Sequence, residues 1–159
     1  MLFPRTLRLD GSDTRIYERA AESGELAVPG AFAFLDCDPN ALTGKRLQAF
    51  AHGFLGTVSF GWSTLVIISE ISETDFEQVI DRLAHHFVAH YGAPDLAAAL
   101  PVARDEAVSA AGMCEYRVNT LLTVEREFGE DGIIERFKVI RPPSAIDHEQ
   151  VKIWGVMDE

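Results

Sequence analysis

The chain has 159 residues, 47% of them hydrophobic and 25% charged, with 25 acidic residues against 14 basic ones and a net charge of −11. That length suits one domain over residues 1–159, able to bury roughly two-thirds of its unfolded surface, and the composition excludes a disordered chain. A field of this sign repels phosphate backbones and anionic lipid, so nucleic acid and bare membrane are not expected partners.

Phe3, Leu7 and Leu9 fall on one face of an extended segment closed by Asp10-Gly11, which predicts a first strand. Nothing in this N-terminal stretch has the apolar core of a signal peptide, and a cytoplasmic location is the expectation. Residues 12–25 allow two readings. Ser12 or Asp13 can cap a short helix through Ile16, Tyr17 and Ala20, or Thr14 to Tyr17 can extend as a strand. Leu26 to Leu35 alternates Ala31, Ala33 and Leu35 with Phe32 and Phe34, predicting a strand kinked at Pro29-Gly30. A helix is then predicted from Asp38-Pro39 to about His52 or Gly53, weakened at Gly44 and burying Leu47, Phe50 and Phe54.

From Thr57 the pattern turns β-branched and aromatic. Ser63 to Ile71 is apolar on both faces, as a central strand requires, with a bulge or bend at Gly61. Its apolar run, Thr64 to Ser69, is far short of the ~20 residues of a membrane span. The organising element follows, from Ser72 to Gly92. Phe76, Val79, Ile80, Leu83, Ala84, Phe87, Val88 and Tyr91 recur at the spacing of one buried helical stripe. Ser72 is placed to cap it, Glu73 and Asp75 suit the positive end of its dipole, and Gly92 and Pro94 end it. Pro94 to about Gly112 is alanine-rich and helical, with Pro101 expected to divide it and Ala103, Ala107, Ala110 and Ala111 allowing close approach to a neighbour.

Leu121 to Phe128 and Ile133 to Ile140 flank Asp131-Gly132, which predicts a hairpin with a two-residue turn. That register sets Glu127 across from Arg136, Glu125 across from Lys138, Val124 across from Val139 and Arg126 across from Phe137. Pro142-Pro143 ends the second strand. Residues 144–159 form a C-terminal arm or edge strand, in which Val151, Ile153, Trp154, Val156 and Met157 are too apolar to stay in water. Docking of that arm on its own sheet or on a second copy is expected, and a homodimer is the predicted assembly. The order of elements suggests an α+β domain, a mixed and largely antiparallel sheet covered on one face by the long amphipathic helix and the Ala-rich helix.

Two constellations carry chemistry. His86 and His90 stand four apart on one helix face and could chelate one metal ion, with His52, Asp36, Asp38 or Glu115 as a third ligand. Arg82 on the same face argues against a cation, and histidines near a helix C-terminus in water are the plainer reading. Arg126 and Glu135 break the apolar face of the hairpin as diagonal neighbours, able to orient a polar or anionic ligand or to form a structural ion pair. Thr43-Gly44-Lys45 lacks the rest of a phosphate loop, and neither G-x-S-x-G nor G-x-G-x-x-G occurs. Cys37 and Cys114 fit no metal or redox spacing and read as free thiols.

The segments F-P-R-T-L-R-L-D-G-S-D, G-A-F-A-F and V-N-T-L-L-T-V-E-R-E-F resemble a small uncharacterised family of bacterial proteins. The resemblance covers most of the chain and implies a bacterial cytosolic protein, with no activity, cofactor or site residue attached. A non-enzymatic accessory or binding protein, acting on a protein or other partner through surface contacts, is the function the residues favour. That reading is preferred because no nucleophile–base pair or complete ligand set is visible, and a small metal-binding module or metal-dependent enzyme using His86 and His90 is the alternative.

Overall fold

A computed structural model describes residues 1–140. The Pro142-Pro143 stop and the arm of residues 144–159 lie outside the described residues. Strand β1 (Leu2–Leu7) comes first, and the ambiguous stretch after it resolves as a single helical turn, α1 (Asp13–Ile16). Asp13 is buried there and its carboxylate accepts from the Thr64 hydroxyl at 3.0 Å, while the Tyr17 hydroxyl meets the same hydroxyl at 2.7 Å. Helical geometry at 13–16 puts both polar side chains on one partner, which an extended segment would not.

The segment from Leu26 to Leu35 forms only the short strand β2 (Ala27–Val28). Gly30 turns left-handed at φ 88, a conformation glycine adopts without strain, and the chain enters a 3-10 turn at Ala31–Phe34 instead of continuing as a strand. The predicted helix from Pro39 likewise splits, into a 3-10 turn at Pro39–Ala41 and helix α2 (Gly44–His52), with Gly44 at φ 57. Phe50 is buried, Phe54 is buried at the start of the next strand, and Leu47 is exposed, a correction to its expected burial.

Strands β3 (Phe54–Gly56), β4 (Trp62–Ser63) and β5 (Leu65–Glu70) follow. Next come α3 (Glu73–His90), α4 (Leu96–Gly112), β6 (Leu121–Gly129) and β7 (Gly132–Ile140). The strands divide between a four-stranded sheet, β1-β5-β6-β7, and a three-stranded one, β2-β3-β4, every ladder antiparallel. The α+β class and the helix pair expected from the sequence are both present. Side chains alternate across a strand, and the small sheet uses both faces. Ala27 and Phe54 join Val66, Ile68, Leu122 and Val124 of the large sheet, while Val28 and Leu55 join the helices.

Helix α3 begins with a reciprocal cap, the Ser72 hydroxyl accepting from Asp75 N–H at 3.1 Å and the Asp75 carboxylate accepting from Ser72 N–H at 3.2 Å. Its stripe from Phe76 to Phe87 is buried, whereas Val88 and Tyr91, expected in the same stripe, are 37% and 46% exposed. Helix α4 is continuous through Pro101. The ring removes one bond, to the Ala97 carbonyl, but Ala99, Ala103, Ala107 and Ala110 are buried with Val79 and Leu83 of α3 on both sides of it. Packing outweighs the missing bond.

The hairpin turns at Glu130-Asp131, with Gly129 paired to Gly132, so its register differs from the predicted one by two residues. A shift of two keeps every side chain on its expected face. Glu127 now lies across from Ile134 and Glu125 across from Arg136, and the Glu127–Arg136 and Glu125–Lys138 pairs form diagonally at 3.2 and 3.0 Å. Arg126 moves from opposite Phe137 to opposite Glu135. Exposed pairs are worth ~0.2–1 kcal/mol each, whereas an unpaired buried arginine costs several. The buried pair decides the register.

Gly61 marks a close approach rather than a bulge. Trp62 N–H donates to the Arg19 carbonyl at 2.9 Å, and a methyl group at Gly61 would lie 2.6 Å from the Ala20 carbonyl. Because backbone stands in the way, Gly61→Ala is expected to cost about 1–3 kcal/mol in denaturant unfolding, and Gly11→Ala, in open space, less than about 0.5 kcal/mol.

Candidate functional site

The functional candidates gather around the C-terminal half of α3, and one wall there is set by a buried carboxylate. Glu25 is 8% exposed, and its oxygens accept from Val58 N–H at 3.0 Å, Ser59 N–H at 2.8 Å, the Ser59 hydroxyl at 2.5 Å and Glu22 N–H at 2.7 Å. Those bonds hold the turn after β3 so tightly that Phe60 sits at φ 55, left-handed backbone that bulky residues rarely adopt. The result is a face-to-face stack of Phe60 on His86, ring centroids 3.7 Å apart and planes 2° apart.

A groove of about 520 Å³ opens between this turn and α3, lined by Val58, Phe60, Arg82, His85, His86 and His90 among others. His86 and His90 are brought together, with ring centroids 4.9 Å apart. His85 points its Nδ1 at the Asp81 carbonyl, 2.9 Å away, with the Asp81 carboxylate at 3.6 Å. Arg19 donates to the Ser59 carbonyl at 3.2 Å beside the same turn. Arg82 is half-buried, and among the described residues it has no carboxylate within ion-pair distance. Burial comes first, then the charges of His90 and Arg19, in pulling the His86 imidazole down to about 4. His86 is therefore neutral at pH 7.

A second groove, of about 380 Å³, lies at the junction of α3 and α4. Phe32, Phe87, Tyr91, Ala99 and Val102 give it apolar walls, and Asp36 stands at its edge. Phe32 packs edge-on to Phe87 and Tyr91 at 4.9 and 5.4 Å, and Tyr91 lies 5.4 Å from His86, so one aromatic belt separates the two grooves. Burial pushes the Tyr91 hydroxyl above its ordinary pKa, with Arg46 opposing. From the sequence Tyr91 reads as part of the buried stripe, and Phe32 as core or as the wall of a hydrophobic ligand pocket. Their role as groove walls depends on the 3-10 turn at 31–34, for which Gly30 was the available signal.

Arg126 and Glu135 do meet, Nε donating to the carboxylate at 2.8 Å. The rest of the guanidinium turns inward. Nη1 donates to the Phe50 carbonyl at 2.8 Å and the Ala49 carbonyl at 3.4 Å, and Nη2 donates to the Pro29 carbonyl. With its side chain 0% exposed and every nitrogen engaged, Arg126 is occupied by its own chain. Burial lowers its pKa from the usual guanidinium value, and Glu135 opposes that shift. Of the other ligand candidates, Asp38 accepts from Asn40 N–H at 3.0 Å and His52 lies 3.4 Å from the Val124 carbonyl. Among the described residues no three His, Cys, Asp or Glu side chains are grouped to hold a metal ion. Nor is any helix among them long and apolar enough to cross a membrane.

The chain belongs to a family of unknown function, DUF6505, whose model matches residues 1–159. No curated protein and no solved structure matches it.

The half-buried imidazole makes a pH prediction. His86 titrates near ~6.5 when unfolded and at about 4 when folded. Between those values the unfolded chain takes up a proton that the folded chain refuses. Stability held above pH ~6.5 is therefore lost as the pH falls toward 4. His86→Phe keeps a ring on Phe60 and removes the titration. Its melting temperature is expected to fall less than the wild type's between pH 7 and pH 4.5, and parallel falls would refute the assignment.

Proposed function

We propose that this protein is a non-enzymatic, single-domain cytosolic binding protein whose ligand is an anion held in the groove between α3 and the Glu25-bound turn. The observation that carries the reading is Arg82. It is half-buried and has no carboxylate partner among the described residues, in a chain whose net charge is −11. In such a chain a buried-stem arginine has acids on offer almost everywhere, and this one stands instead with His85, His86 and His90. Guanidinium matches carboxylate and phosphate geometry, imidazole N–H groups supply further donors, and the Phe60 wall lowers the local dielectric around them. Asp81 is the acid of the groove, and His85 faces it. No nucleophile with a hydrogen-bonded base stands among these residues, so binding rather than turnover is the reading.

A second reading keeps the metal. It is favoured by the 4.9 Å separation of the His86 and His90 rings and by the neutral state of His86, the form that ligates. Arg82 in the same groove weighs against it.

Inorganic phosphate separates the two. At pH 7 and constant ionic strength, phosphate is expected to raise the melting temperature of the wild type and to leave Arg82→Gln unmoved, by the mass-action stabilisation of a ligand that binds only the folded state. Equal shifts in both proteins would rule out the groove as the anion site. Metal in near-stoichiometric amount in untagged protein, lost on replacing His86 and His90 by Ala, would establish the second reading instead.

A further inference from the structure

The two grooves flank the end of α3 and share the belt Phe60–His86–Tyr91–Phe32, in which the last two ring-to-ring steps are 5.4 Å each. They differ in chemistry. Toward the Glu25-bound turn the walls carry Arg82, His86 and His90. Toward α4 they carry Phe32, Phe87, Ala99 and Val102, and Asp36 is the charged group there. A compact inorganic ion held by Arg82 would leave the second groove in water.

That second groove is an exposed apolar surface of some extent. Leu35 is 69% and Val102 is 53% exposed, and Tyr91 is 46% exposed between them. Scattered apolar residues need no account, but a concave group beside a charged groove marks a binding surface. Its volume, about 380 Å³, lies within the ~300–1,000 Å³ of small-ligand sites. The sign of charge then fixes the ligand's orientation. Asp36 repels a second anionic group at the apolar end, so an uncharged body suits it. Arg82 and His90 receive the head.

Resting on the anion reading above, we infer that the ligand is an amphipathic carboxylate: its head group sits at the Arg82–His86–His90 stripe, and its alkyl or aryl body crosses Tyr91 into the groove between α3 and α4. The hydrophobic body then supplies most of the affinity, since each methylene removed from water tightens binding by about fourfold.

The test is a chemical-shift titration of the full chain at pH 7 with three probes: acetate, octanoate and octylammonium. Octanoate is expected to bind on the order of a hundredfold more tightly than acetate, from burial of several methylenes, and octylammonium far more weakly than octanoate. Val102→Asp, at an exposed position, is expected to abolish the advantage of octanoate while leaving acetate binding intact. Arg82→Gln is expected to weaken both acids. Octanoate within threefold of acetate overturns the inference while the anion groove stands. Octylammonium binding as tightly as octanoate also overturns it, because the apolar groove then acts without the head-group site. If neither acid perturbs His86 or His90, the anion reading falls and this inference with it.

Discussion

The buried guanidinium of Arg126 is the constraint on which the rest of the structure depends. Its side chain is fully covered and joins three pieces of chain far apart in sequence: the Pro29 carbonyl, the Ala49 and Phe50 carbonyls and the Glu135 carboxylate. Burying such a charge costs several kcal/mol unless its donors are met, and here backbone oxygens meet most of them. The carbonyls of Ala49 and Phe50 belong to the last turn of α2, the negative end of that helix dipole. Arg126 thus closes α2 onto the β6–β7 hairpin, where Phe50 also stacks on Phe128 at 4.2 Å. Glu106 of α4, raised in pKa by burial and then by Glu135 and Asp105, feels the same buried charges.

The consequence reaches the candidate site through Pro29. Fixing that carbonyl fixes the chain just before Gly30, whose left-handed turn starts the 3-10 segment and carries Phe32 against Phe87 and Tyr91. A Cβ at Gly30 would meet the Trp62 ring at 2.9 Å, so the turn is also held from the small sheet. The other wall is held by a charge of opposite sign, Glu25, through the turn that presents Phe60 to His86. Two buried charges, each satisfied largely by backbone, position the two ends of one aromatic belt. Arg126 spends four of its five donors within the fold, and both oxygens of Glu25 accept from the turn they hold.

What could be read from the sequence was what local periodicity and capping encode. Helix α3, its Ser72 cap and its Gly92 stop stand where the pattern put them, because a stripe at helical spacing and a reciprocal cap are properties of consecutive residues. The hairpin's faces were legible for the same reason. Its register was not, since what shifts it is the long-range burial of Arg126 rather than the turn dipeptide. The alternating run after Gly30 looked like a strand but forms a 3-10 turn once Gly30 is left-handed and Trp62 lies beneath it. Pro101 failed to divide α4 because four alanines pack across the break. In the site, the His86–His90 pair was visible as a spacing. The Phe60 stack and the Glu25 bonds were not, being contacts between residues far apart in the chain.

The most direct measurement of this account is the unfolding free energy of Arg126→Met, by denaturant titration at pH 7 against the wild type. The substitution keeps an apolar stem of similar length and removes every donor to Pro29, Ala49, Phe50 and Glu135. A buried ion pair broken on one side, with backbone acceptors left unmet, costs about 3–5 kcal/mol, and a loss of that size is the predicted result. A variant within about 0.5 kcal/mol of wild type would contradict the claim that this guanidinium holds the fold together.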